Sequence, residues 1–243
     1  YRRFFAVNTL VAIRVEDPEW FDRSHAEVRR WFDEGLVDGL RVDHPDGLRD
    51  PGTYLADLAA LTGGAYVLVE KILGLHPAGS GRVVLEELPS TWATAGTTGY
   101  DALAVIDRVL VDPAGEAPLS ALEDRLRGRP VDWASLVHDG KLAVANGILN
   151  SEVRRIAREV LAVLDAADAP DPEPVEAAIA ELMADLEVYR SYLPEGRDHL
   201  DRAFGLAWEH RPDLGPVLDR LYPVLADGAY GPAKRLQQTS GML

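Results

Sequence analysis

The stretch "AYVLVEKIL", residues 65–73, opens with an unbroken apolar run rich in valine that leads into Glu70 and Lys71. A strand with one wet face alternates apolar and polar residues, whereas a strand covered by helices on both faces does not have to. The run therefore predicts a parallel strand buried on both sides. Parallel neighbours cannot be joined by a tight hairpin and need a crossover, usually a helix. The residues upstream supply both missing parts. "LVDGLRVDH" reads as a short strand, and "RDPGTYLADLAALTGG" as a helix with Asp50 and Pro51 as start signals and Gly63-Gly64 as the stop. Tyr54, Leu55, Leu58 and Leu61 share one face of that helix. Residues 36–72 thus form one βαβ unit, and the fold class is α/β.

The flanking segments extend this reading. Asp17 as N-cap and Pro18 at the first helical position begin a helix that carries Trp20, Phe21, Val28, Trp31 and Phe32, with Trp20, Trp31 and Phe32 expected in the core. Residues 74–100 are rich in Gly, Pro, Ser and Thr and read as mostly loop, with a short strand or hairpin at "RVVLEE". After residue 101 helical periodicity takes over. Leu103, Ile106, Val109 and Leu110 form one stripe, and 141–166 another through Leu149, Val153, Ile156, Val160 and Leu164. Further stripes run through Val175, Ile179, Leu182, Met183 and Leu186, and through 198–208 and 213–225. The expected division is an α/β segment over 1–112 and a mainly helical subdomain over 113–243. "QQTSGML" closes the chain with no predicted element.

Composition excludes several kinds of function. With no cysteine there is no disulfide, thiolate metal site or cysteine nucleophile. A net charge of -15, with the basic residues scattered, opposes binding to nucleic acid. No apolar run approaches the length of a membrane span, and "YRRFFAVNTL" is no secretory signal, so a cytoplasmic protein is expected. Chemistry is left to carboxylates, histidines and hydroxyls.

The βαβ unit places two carboxylates where α/β proteins build active sites. Asp43 ends the first strand and Glu70 the second, on the carboxyl edge of the sheet. Adjacent strands lie about 4.8 Å apart. Glycoside chemistry with retention needs two carboxyl groups about 5–5.5 Å apart, one to attack the anomeric carbon and one to give and then take a proton. Arg41, on the same strand face as Asp43, would hold that carboxylate ionised, and the apolar run before Glu70 suits a proton donor. His44, Lys71, Trp92, Tyr100 and Asp101 are the substrate-binding candidates, His44 through a sugar hydroxyl and the aromatic residues through stacking. His44 and Asp46 also suggest metal ligands, but the remaining histidines lack ligand spacing, so no metal site is expected. The helical part shows no chemistry. A structural ion pair at the strand ends, in a carbohydrate-binding piece without catalysis, remains open at this point.

"GLRVDHPDGL" resembles a strand segment of the α-amylase clan of glycoside hydrolases. Together with "VEKIL", "ELPSTWATAGTTGYDAL", "EVYRSYL" and "QQTSGML", it is similar to the maltooligosyl trehalose synthase family of that clan. The resemblance implies part of a (β/α)8 barrel with an inserted helical subdomain. It also implies an isomerase, a glucosylmutase that turns the reducing-end α-1,4 bond of a maltooligosaccharide into an α,α-1,1 bond. Asp43 is then the nucleophile, Glu70 the acid/base, and Arg41 and His44 their supports, with no cofactor and a maltooligosaccharide as partner. The family carries a motif expected before Tyr1 and a third carboxylate expected after Leu243, so these residues alone are expected to be weakly active or inactive. A hydrolase or transglycosylase of the same clan is the alternative. The loop 74–100 is the expected wall around the leaving sugar.

Overall fold

The computed structural model describes residue 7 and residues 9–78, 82–165 and 169–243. The tip of the 74–100 loop, residues 166–168 and most of the opening segment lie outside the described residues.

The βαβ unit forms as its sequence demands. Helix α1 (Pro18–Asp33) is capped by the Asp17 carboxylate, which accepts from the Glu19 amide. Strand β1 (Gly39–Val42) leads through a short turn at 45–47 into α2 (Pro51–Thr62). The Asp50 side chain caps α2 at its start and Gly63, at φ 69°, ends it. Strand β2 (Tyr66–Val69) then pairs parallel with β1, Val42 opposite Val69. The loop holds more structure than its composition predicts. Strands β3 (Leu75–Ala78) and β4 (Arg82–Leu85) make the expected hairpin, and β5 (Gly96–Thr97) adds a third parallel strand beside β2. The sheet order is β1-β2-β5. Two residues without an apolar run carry no periodic signal, which is why β5 escapes a sequence reading.

Seven helices among the described residues follow: α3 (Tyr100–Leu110), α4 (Glu116–Arg127), α5 (Trp133–Asn146), α6 (Asn150–Leu161), α7 (Pro172–Asp185), α8 (Arg197–His210) and α9 (Gly215–Leu225). An eighth, α10 (Gly231–Ser240), occupies the "QQTSGML" end, where none was expected. The stripe over 141–166 is two helices, broken at Gly147, where a Cβ would sit 2.8 Å from the Ala143 carbonyl oxygen. Helix α7 is buried all round from Ala178 to Asp185 and forms the axis of the helical half. Val153, Ile156 and Val160 of α6, Phe204 of α8 and Leu218 and Leu221 of α9 pack in the same core. Each such side chain contributes about 1.5–3 kcal/mol by leaving water. The sheet has a smaller core of Leu55, Leu58, Val67, Val69 and Trp92.

Three expectations about burial are corrected. Strand β2 alternates, with Val67 and Val69 buried and Tyr66 exposed, because α2 covers one face. Trp20 is exposed and Trp31 and Phe32 are only partly covered; Phe21 and His25 are the buried residues of α1. The α3 stripe is exposed, Val109 to 81%. The described residues form part of an α/β domain with a large helical portion, and a closed eight-stranded barrel is not among them. No described helix is long and apolar enough to cross a membrane.

Candidate active site at the strand ends

The parallel register carries Asp43 and Glu70 past the same edge of the sheet. Val42 is opposite Val69, and the Glu70 amide donates to the Val42 carbonyl at 2.8 Å, so the carboxylates follow at matching positions. Both line one cavity of about 350 Å³, together with His44, Asp46, Tyr189 and the terminal Gly241-Met242-Leu243. Arg41 Nη1 donates to Asp43 Oδ1 at 2.6 Å, and that bond holds the guanidinium above its usual pKa. The pair is about half exposed, so water screens it, and its use is to orient Asp43.

Glu70 is held at both oxygens. The His44 amide donates to Oε2 at 3.0 Å and the Tyr100 hydroxyl to Oε1 at 3.2 Å. His44 achieves this with φ at 44°, the one left-handed non-glycine backbone among the described residues. Such strain costs about 1–3 kcal/mol and persists only when the surroundings enforce it. Here Gly47 allows it, since a Cβ at that position would lie 2.7 Å from the His44 ring. The two donors differ in what they permit. An amide can only donate, whereas a hydroxyl can also turn and accept.

Next to the cavity lies a buried polar assembly that the residue pattern of the βαβ unit does not announce. Asp46 is 3% exposed; Tyr192 donates its hydroxyl to Oδ1, and Lys71 Nζ lies 3.1 Å from Oδ2. Burial and the Asp46 charge push the Tyr192 phenol well above its usual pKa, so it stays a donor. Lys71 also pairs with Glu86 Oε1 at 3.5 Å and sits near the rings of Tyr189 and Tyr192. Arg190, buried, donates to the Asp46 and Leu48 carbonyls at 2.8 and 2.7 Å, and Gln238 donates to the Gly47 carbonyl at 2.7 Å. These partners come from the far end of the chain and clamp the turn 45–47 that follows His44. With both Asp46 oxygens engaged, His44 and Asp46 do not form an open metal site.

The candidate residues divide accordingly. Asp43, Glu70 and His44 share the cavity, with Arg41 and Tyr100 bonded to its carboxylates. Lys71 is 1% exposed and committed to two carboxylates, so the structure places it in the buried assembly rather than against a substrate. Trp92 is a core residue, packed edge-on against Tyr192 at 4.8 Å between ring centres, and offers no stacking platform. Asp101 accepts from Thr97 Oγ1 at 2.5 Å, a bond that lowers its pKa and fixes the turn from β5 into α3. Tyr189, Arg190 and Tyr192 lie in "EVYRSYL", a segment legible as part of the family resemblance but not as site chemistry.

Comparison with known proteins gives this arrangement its context. Over its whole length the chain is similar to one part of the maltooligosyl trehalose synthases. A Mycobacterium tuberculosis protein described by that name is 43% identical over 242 residues, 99% of this chain and 30% of its own length. The solved structure of maltooligosyltrehalose synthase from Arthrobacter ramosus is 55% identical, with a TM-score of 0.88, across 100% of this chain and 30% of that one. A Sulfolobus tokodaii structure titled a hypothetical maltooligosyl trehalose synthase matches at 26% identity with a TM-score of 0.71. No protein-family model matches the chain. The chain thus spans about 30% of the length of the maltooligosyl trehalose synthases it matches.

Proposed function

We propose that these residues form the part of a maltooligosyl trehalose synthase that carries its nucleophile, Asp43, and its acid/base, Glu70, within a (β/α)8 barrel of the α-amylase clan. The observation that carries this reading is the placement of both carboxylates on neighbouring parallel strand ends facing one cavity. The substrate is a maltooligosaccharide, the setting cytoplasmic trehalose biosynthesis, and the helical residues 113–243 form a subdomain that braces the site.

The chemistry follows from the two environments. Glu70, as the acid, gives a proton to the terminal glycosidic oxygen while Asp43 attacks the anomeric carbon of the preceding glucose. The bond to the terminal glucose breaks and a covalent glycosyl-Asp43 ester forms. The freed glucose turns within the pocket, and its anomeric hydroxyl attacks the anomeric carbon of the glycosyl-Asp43 ester as Glu70 takes the hydroxyl proton. The bond to Asp43 breaks, and two inversions leave a 1,1 linkage of retained configuration. Arg41 aims Asp43, and the His44 amide with the Tyr100 hydroxyl holds Glu70. Water must be kept out while glucose turns, and within the 74–100 segment it is Tyr100 that reaches the cavity's carboxylates, through Glu70.

The test uses the full-length Arthrobacter ramosus enzyme with its matching segment replaced by these 243 residues, incubated with maltopentaose, beside the 243-residue chain alone. A 1,1 linkage engages both anomeric carbons, so reducing ends should fall with the chimera and not with its Asp43→Asn variant. The chain alone is expected to give little or no turnover. A rise in reducing ends would mean hydrolysis and would overturn the mutase reading.

A further inference from the structure

The helical half brings two histidines and two carboxylates to one point. Glu181 and Asp185 stand one turn apart on α7, so they share a helix face. His138 reaches them from α5 and His210, the last residue of α8, from beside it, their ring centres 5.0 Å apart. His138 Nε2 lies 2.9 Å from Glu181 Oε1 and 3.6 Å from Asp185 Oδ1; His210 Nδ1 lies 2.9 Å from Asp185 Oδ1 and 3.9 Å from Glu181 Oε1. One donor atom from each residue falls within 4.8 Å of all the others. A tetrahedral ion bound at about 2.0–2.2 Å sets its donors roughly 3.3–3.6 Å apart, close to these separations.

The charges in the cluster call for a cation. Both carboxylates are 2% exposed at the side chain, and the Asp185 Oδ2 atom is buried with no hydrogen-bond partner. Two carboxylates side by side in a low-dielectric setting repel each other, and an unpaired buried oxygen is costly. The nearby ammonium of Lys141 is committed to the Leu186 carbonyl. The imidazole side is open, with His210 about half exposed, which gives an ion a way in.

We propose that His138, Glu181, Asp185 and His210 form a binding site for a divalent transition metal of the zinc class. Two imidazoles and two carboxylates suit such borderline ions, and four protein donors make a closed, structural site. The ion would tie α5, α7 and α8 together. Helix α7 runs directly into the segment that supplies Tyr189, Arg190 and Tyr192, so the tie would also stiffen the clamp on the turn after His44.

The test titrates the untagged, metal-stripped chain with zinc sulfate by calorimetry, and with Co²⁺ by visible absorption. One equivalent should bind, with the intense band of tetrahedral Co²⁺. Affinity should fall by at least about tenfold in His210→Ala, a half-exposed position that folding tolerates, and in Asp185→Asn, while Val109→Ser, on the exposed face of α3, binds as the parent does. No saturable binding to chain shown folded by circular dichroism would overturn the proposal, as would parental affinity in His210→Ala.

Discussion

The strand-end half and the helical half stand on different supports. The helices hold themselves together through α7, whose buried residues meet α5, α6, α8 and α9 in one apolar core. The sheet has five core residues, and its functional turn is held by polar bonds that cross from the helical end: Arg190 to the carbonyls of Asp46 and Leu48, Tyr192 to Asp46, and Gln238 to Gly47. Apolar packing is nondirectional and tolerant, whereas a charged or polar bond fixes an angle. The difference suggests that the helices supply stability and the polar clamp supplies aim.

The sharpest break in that comparison should come from Asp43→Asn or Glu70→Gln in the Arthrobacter chimera. Turnover of maltopentaose is expected to fall about 10²- to 10⁴-fold or more, while the melting temperature stays put, since neither side chain is in a core. Lys71→Met, at the same end of the sheet, should lower stability as well as turnover. Removing the ammonium leaves Asp46 and Glu86 buried and unpaired, and urea unfolding should show a loss of about 3–5 kcal/mol, with turnover falling because the clamp loosens. Leu182→Ala, in the middle of α7, should cost about 2–5 kcal/mol in the same assay without a specific effect on the site. Val109→Ser, on the exposed stripe of α3, should change stability by no more than about 0.5 kcal/mol.

Much of the scaffold was legible because it rests on local rules. Asp17 with Pro18, Asp50 with Pro51, and Gly63 each mark a helix end, and they do so for the stated reasons. The valine run of β2 and its crossover announced a parallel pair, and with it Asp43 and Glu70 at one edge. What escaped depends on distance along the chain. Tyr192 meets Asp46 across 146 positions and Arg190 meets its carbonyl across 144, which no spacing rule reaches. Lys71 reads as a substrate contact because its carboxylate partners, Asp46 and Glu86, lie on separate turns. The His138, Glu181, Asp185 and His210 cluster draws on three helices, with only the two acids at a readable spacing, so a search for paired histidines could not find it. The exposed faces of α3 and β2 show the opposite failure, since periodicity reports that a face is apolar and not that something covers it.

The most direct test of the central claim is to trap the glycosyl-enzyme. The chimera would be treated with a fluorinated α-glucosyl fluoride, whose electron-poor ring slows breakdown of the ester, digested and read by mass spectrometry. The account predicts one added sugar on the peptide containing Asp43, absent in Asp43→Asn. A label on any other residue, with Asp43 unmodified, would contradict it.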